Sequence, residues 1–257
     1  MTGLVRKATL FAACGLLMVG SAFAGRPSPG NSTVPCGIVL VGHDGTTGAG
    51  NPKVDCVGKF CVVVMDDQSP PQPIANSTVI IDFALCCNDI MIAQSQNGNP
   101  ACNVFPATVD CATKTVRALT DATGTVCFTI AGASKSSTVT PGNLTGQSPA
   151  ACARIFADGT LLGTAQVACI DLDGGLGGGA EGITSADRSV LQVDYFLYGV
   201  IHTPSDPYRA RSDLDFKVLC VQDISGADLS LWDTINFASG QFGTQASYFN
   251  GPFCSCP

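Results

Sequence analysis

The chain has 257 residues, of which 46% are hydrophobic and 13% charged, and a formal net charge of −7. This length supports a sizeable core in one large and one small domain. The acidic balance speaks against nucleic acid and anionic membrane surfaces as partners and favours cations.

Residues 1–24 read as a signal peptide. Arg6 and Lys7 precede an apolar run over residues 8–19, and Ala22-Phe23-Ala24 supplies small residues at the positions a signal peptidase inspects. The run is too short to span a bilayer, and no later segment has spanning character, so a soluble, secreted mature chain is expected without membrane insertion. Export to an oxidising space suits the cysteines: 14 in all, 13 of them beyond residue 24. An odd number leaves a free or intermolecular thiol. Cys254 and Cys256 are the expected candidates because tails are accessible. With only His43 and His202 in the chain, no zinc pattern is present.

Residues 25–34 read as a flexible leader rich in Gly, Pro and Ser. Residues 35–169 then read as strands and turns. Apolar, β-branched runs occur at 36–41, 60–65, 78–84, 115–119, 125–130, 151–157 and 161–168. Asp158-Gly159 is a two-residue hairpin signal, and Asp121-Ala-Thr-Gly124 marks another turn. About seven short strands at this spacing predict a mainly β fold, an immunoglobulin-like β-sandwich.

Residues 170–245 carry a doubled motif. Asp171-Leu-Asp173 is followed by Ile183-Thr-Ser-Ala-Asp187, and Asp213-Leu-Asp215 by Ile224-Ser-Gly-Ala-Asp228. Thr184 and Ser225 stand three places before Asp187 and Asp228, a capping-box pattern. Apolar residues follow at helical spacing: Val190, Leu191, Leu197 and Tyr198 in one copy, Leu231, Trp232 and Ile235 in the other. Gly199 and Gly240 stand where a C-cap belongs. Residues 170–257 hold eleven acids and four bases, against nine and seven in residues 25–169, so the charge gathers around this motif. Alternating carboxylates before a capped helix suit a hard, oxygen-preferring cation. Residues 246–257 form a Cys-containing tail.

Two resemblances add to this reading. Val62-Val-Val-Met-Asp66, residues 73–83 and Leu119-Thr-Asp-Ala-Thr-Gly124 are similar to bacterial immunoglobulin-like domains of the invasin type. That resemblance covers roughly residues 34–168 and implies a non-catalytic spacer or adhesive module. The Cys86-Cys87 pair and the Cys-rich stretch to Cys111 depart from that pattern and imply a disulfide-stapled loop. The doubled motif resembles the dockerin family, in which two calcium loops each precede a helix. The resemblance implies calcium as cofactor, with Asp171, Asp173 and Asp187 as ligands of one site and Asp213, Asp215 and Asp228 as ligands of the other. Glu181 and Asp223 are candidates for the middle carboxylate, and Gly182 or Asp223 would offer a backbone carbonyl. The loops here span sixteen and fifteen positions, longer than the family's eleven. At the places of the family's docking hydroxyls stand Ser185-Ala186 and Gly226-Ala227, so the second copy lacks them.

Other candidates carry weaker chemistry. His43-Asp44 lies in a Gly-rich stretch that reads as an exposed turn, and Asp66-Asp67 reads as a strand end. Tyr195, Tyr198, Tyr208 and Trp232 could form a sugar platform, but most sit at helix-core spacing. Asn31, Asn76 and Asn143 begin glycosylation sequons. With no catalytic constellation in sight, the expectation is not an enzyme. It is a secreted structural or adhesive protein of a bacterial surface or extracellular matrix. Its partners would be further copies of itself or another surface protein. The alternative is a dockerin-type module that attaches to a cohesin-like scaffold.

Overall fold

A computed structural model of the chain describes residues 25–41, 58–94, 96, 107–134, 149, 151–172, 185–198, 211–214, 226–236 and 253–254. Among these, the strands are β1 (Gly37–Val41), β2 (Phe60–Val63), β3 (Thr78–Asp82), β4 (Ile90–Ile92), β5 (Thr108–Asp110), β6 (Thr115–Leu119), β7 (Thr125–Phe128), β8 (Ile130–Ser134), β9 (Ala153–Ala157) and β10 (Thr160–Cys169). A 3-10 turn covers Ala84–Cys86, and two helices follow, α1 (Ser185–Tyr198) and α2 (Gly226–Asn236). The fold is mainly β, as the strand-and-turn pattern predicts.

Eight strands form one curled sheet in the order β4-β8-β1-β10-β9-β3-β6-β5, and β2 pairs with β7 in a second sheet. The predicted Asp158-Gly159 hairpin joins β9 to β10, with φ of 46° and 80° at its two residues. Such positive values match the primed turns that follow strand twist, and Gly tolerates them without a Cβ penalty. Asp121 closes the other predicted turn: its Oδ1 accepts from Thr123 Oγ1, Thr123 N and Thr125 N at 2.6, 2.8 and 3.0 Å. These bonds, the Thr123 hydroxyl foremost, hold its carboxyl below the ordinary carboxylate value. Asp66 serves its expected turn as well, accepting from the backbone N–H of Gln68 and Gln72.

Three features depart from the strand list expected from sequence. The run 125–130 is not one strand. The chain changes sheet at Thr129, so β7 pairs with β2 while β8 pairs with β4 and β1. Short β4 and β5 lie within or beside the Cys-rich stretch, where three apolar residues or fewer leave no periodicity to detect. β10 serves two neighbours, antiparallel β9 through its first half and parallel β1 through its second. The crowded centre is built from small residues. A Cβ at Gly132 of β8 would lie 2.5 Å from Met91 O and 2.8 Å from Leu40 Cδ1, so only glycine lets these strands and side chains approach.

The expected leader is not free. Ser28 N–H donates to Met65 O, and Thr33 and Val63 exchange both backbone bonds at 2.9 and 3.0 Å. Residues 25–34 therefore strap the edge formed by Val63 at the end of β2 and by Met65 and Asp66 beyond it, where open backbone groups draw in an extended segment. Residues 253–254 strap another edge. Cys254 N–H donates to Ile92 O of β4 at 2.9 Å, and Gln94 Nε2 donates to Phe253 O. Cys254 is disulfide-bonded to Cys111, which directly follows β5. Because β4 and β5 are the two ends of the eight-stranded order, the sheet closes on itself through this segment.

Two further disulfides join Cys61 to Cys127, across β2 and β7, and Cys86 to Cys152. Cys36 and Cys87 are disulfide-bonded as well. Cys254 is thus not the spare thiol expected from its position, because burial against β4 places it beside Cys111. The free cysteine among the described residues is Cys169, buried at the end of β10. Cys256 lies outside the described residues.

One hydrophobic core crosses the boundary expected at residue 170. Ile38, Leu40, Ile130 and Val167 from the strands join Ile170, Leu172, Leu191, Leu214 and Trp232 in one cluster. Trp232 is fully buried, and its Nε1 donates to Ile170 O at 3.1 Å, so α2 is keyed to the exit of β10.

Candidate functional site

The described parts of the doubled motif, residues 171–172 with α1 and 213–214 with α2, are arranged alike. Asp187, third residue of α1, accepts the Leu172 backbone N–H on Oδ1 at 2.7 Å. Asp228, third residue of α2, accepts the Leu214 N–H on Oδ1 at 2.8 Å. In each copy the helix carboxylate thus holds the middle residue of the Asp-Leu-Asp sequence. The burial order also repeats: Asp187 to Leu191 and Asp228 to Trp232 both run buried, intermediate, exposed, intermediate, buried. Asp-x-Ser-apolar-apolar is sufficient for this, since positions one and five of the run face the core and position three faces water. Both carboxylates also lie in a first helical turn, where the macrodipole favours negative charge.

The loop acids are equally enclosed. Asp171 and Asp213 are 1% and 0% exposed, and Asp187 and Asp228 are both 0% exposed. Asp171 O accepts from Ser134 N–H of β8, which ties the first loop to the sheet. Arg188 and Asp233 form a two-bond ion pair at 2.7 and 3.0 Å that links α1 to α2.

Beside the first loop lies a buried polar cluster that sequence reading missed. Arg211 donates through Nε and Nη2 to Asp194 at 3.2 and 3.3 Å, and through Nη1 to Ser134 Oγ at 3.4 Å. Ser212 Oγ also donates to Asp194. The available signal was Asp194 on the core-facing side of α1, seven residues after Asp187. Cys169 lies in the same field. Burial pushes its thiol well above the ordinary value, the Arg211 guanidinium opposes this, and Asp171, Asp187 and Asp194 add to it.

The described carboxylates are donors of the type a hard cation takes. Each copy brings one loop carboxylate and one helix carboxylate into a dry environment, where negative charge is costly unless compensated. A backbone N–H on each helix carboxylate contributes to that compensation. Carboxylate and carbonyl oxygens are also the donors calcium selects, in sets of about six to eight. Asp171, Asp187, Asp213 and Asp228 are the predicted ligands that the structure describes. Asp173, Glu181, Asp215, Asp223 and Gly182 lie outside the described residues, as do Thr184, Ser225, His43 and Asp44. Among the described residues alone, no group of three or more metal-ligating side chains forms. Of the aromatic candidates, Trp232 is core and Tyr195 packs against it, while the side chains of Tyr198 and Tyr208 are not described.

No protein-family model matches the chain, and neither a curated protein nor a solved structure matches it.

Proposed function

We propose that this chain is a secreted, non-catalytic structural or adhesive protein of a bacterial surface or extracellular matrix, a subunit that associates with further copies of itself. On this reading the β body is an immunoglobulin-like sandwich. The doubled motif is a divergent dockerin-like pair of calcium loops serving stability. The observation that carries it is the equivalence of the two copies. Each places a buried helix carboxylate on the N–H of its Asp-Leu-Asp leucine, and each helix buries its apolar face in the chain's own core. Cation loops whose helices are already packed support self-contained structure.

Calcium titration with thermal unfolding tests the cofactor. At free calcium a hundredfold above Kd, each site adds about 2.7 kcal/mol, which a chelator removes. Identical unfolding in calcium and chelator would sink it. Size-exclusion chromatography with light scattering tests self-association. Concentration-dependent assemblies are expected, and a strict monomer would overturn the structural reading.

One observation favours attachment to a cohesin-like scaffold instead. Val193 and Phe196 of α1 are 52% and 72% exposed and sit three residues apart on one face. That alternative predicts a stoichiometric, calcium-dependent complex with a cohesin-like partner, abolished by Phe196→Asp.

A further inference from the structure

We propose that residues 25–33 are an exchangeable strap: within assemblies, the strap of one copy occupies the Val63–Asp66 edge of the next. The proposal rests on the self-association reading and names the surface that would carry it. The strap is held by backbone pairing and by the polar side chains of Asn31 and Ser32. Besides the Ser28–Met65 bond and the double Thr33–Val63 bond, Met65 N–H donates to Ser32 Oγ at 3.1 Å and Asn31 Nδ2 donates to Asp66 O at 2.8 Å. Backbone pairing of this kind is what an added strand supplies in β-augmentation.

Little else retains the strap. Pro27 is its one buried residue, while Arg26, Pro29, Gly30, Asn31 and Thr33 are exposed. Peeling it away breaks the bonds along one edge and uncovers Pro27 and Asp66, against which Gly25 lies, so release is a local opening and not a global one. The contrast with the other strapped edge is direct. Residues 253–254 cover β4 but are bonded covalently through Cys111–Cys254, so that cover cannot be traded. Val34-Pro35 joins the strap to β1, and a residue before proline favours the extended backbone that a straightened hinge requires. A second copy offers the same edge with the same donors and acceptors. Exchange therefore conserves every contact and is governed by concentration.

Thr33 and Val63 stand directly opposite as a hydrogen-bonded antiparallel pair, at a spacing a disulfide bridges. The mature Thr33→Cys/Val63→Cys chain is prepared with natural nitrogen and with heavy nitrogen. The two are mixed, assembled and oxidised, and the peptides joined through positions 33 and 63 are weighed. Bonds joining a light half to a heavy half are expected in the assembled fraction. If assemblies form while every such bond joins halves of one isotope, or no such bond forms, exchange is overturned and self-association stands. If the unmodified chain stays monomeric at all concentrations, self-association fails and exchange fails with it. Deletion of residues 25–33 provides a second reading: loss of assembly with the far-UV spectrum retained supports exchange, and assemblies of unchanged size overturn it.

Discussion

The β body and the doubled helical unit share one core but are held by different chemistry. In the body, Cys61–Cys127, Cys86–Cys152 and Cys111–Cys254 close the chain covalently. In the helical unit, the described ties include buried carboxylates on backbone N–H groups, the Arg211–Asp194 and Arg188–Asp233 pairs and the Trp232 anchor. The first kind of tie resists everything except reduction. The second depends on packing, hydrogen bonding and, on the proposed reading, an ion. On the proposed reading, the body keeps its covalent ties whatever the calcium level, while the helical unit responds to it.

The largest expected effect comes from breaking the joint between the two regions. Trp232→Ala removes a fully buried ring and its bond to Ile170 O, and should cost about 3–5 kcal/mol in denaturant unfolding. If the body and helices were independent, the β-sheet transition would instead be unchanged. Removing Cys61–Cys127 by a double alanine replacement releases a bond with a sequence separation of 66 residues. About 2–4 kcal/mol should be lost from the body, with calcium dependence left intact.

Asp187→Ala and Asp228→Ala sharpen the equivalence of the two copies. Each leaves a buried N–H without its carboxylate acceptor, and should cost about 1–3 kcal/mol in chelator, alike for both. The Asn replacements keep an acceptor oxygen, so they should retain most of that stability and lose only the calcium increment. A large difference between Asp187→Ala and Asp228→Ala would break the symmetry. The smallest effect belongs to Asp121, whose carboxyl is held low by the Thr123 hydroxyl and neighbouring N–H groups. Its contribution is present above the ordinary carboxylate value of about 3.9 and is lost as pH falls through the lower folded value. Asp121→Ala should flatten that part of the urea-midpoint profile between about pH 5 and about pH 2.

Short-range chemistry made much of this legible in sequence. Asp158-Gly159 and Asp121-Ala-Thr-Gly124 fix turns locally, and alternation marks β6 and β9. The repeat was visible because Asp187 and Asp228 recur in the same apolar context. Longer-range pairing was not legible. Nothing local in Ile90-Met-Ile92 distinguishes an edge strand from a loop, and nothing near Cys254 names Cys111 as its partner, 143 residues away. The leader was misjudged because Gly, Pro and Ser signal freedom only where no sheet edge is available to bind them. Arg211 and Asp194 lie 17 residues apart, with no shared motif to connect them.

Closure of the eight-stranded sheet through Cys254 has a consequence for biogenesis. β4 and β5 precede Cys254 by more than a hundred residues, so both edges are synthesised long before the segment that ties them together. Until then they are open templates for pairing with other chains. A product cut short of Cys254 can never seal that seam, and the sheet itself becomes a checkpoint that separates finished molecules from fragments.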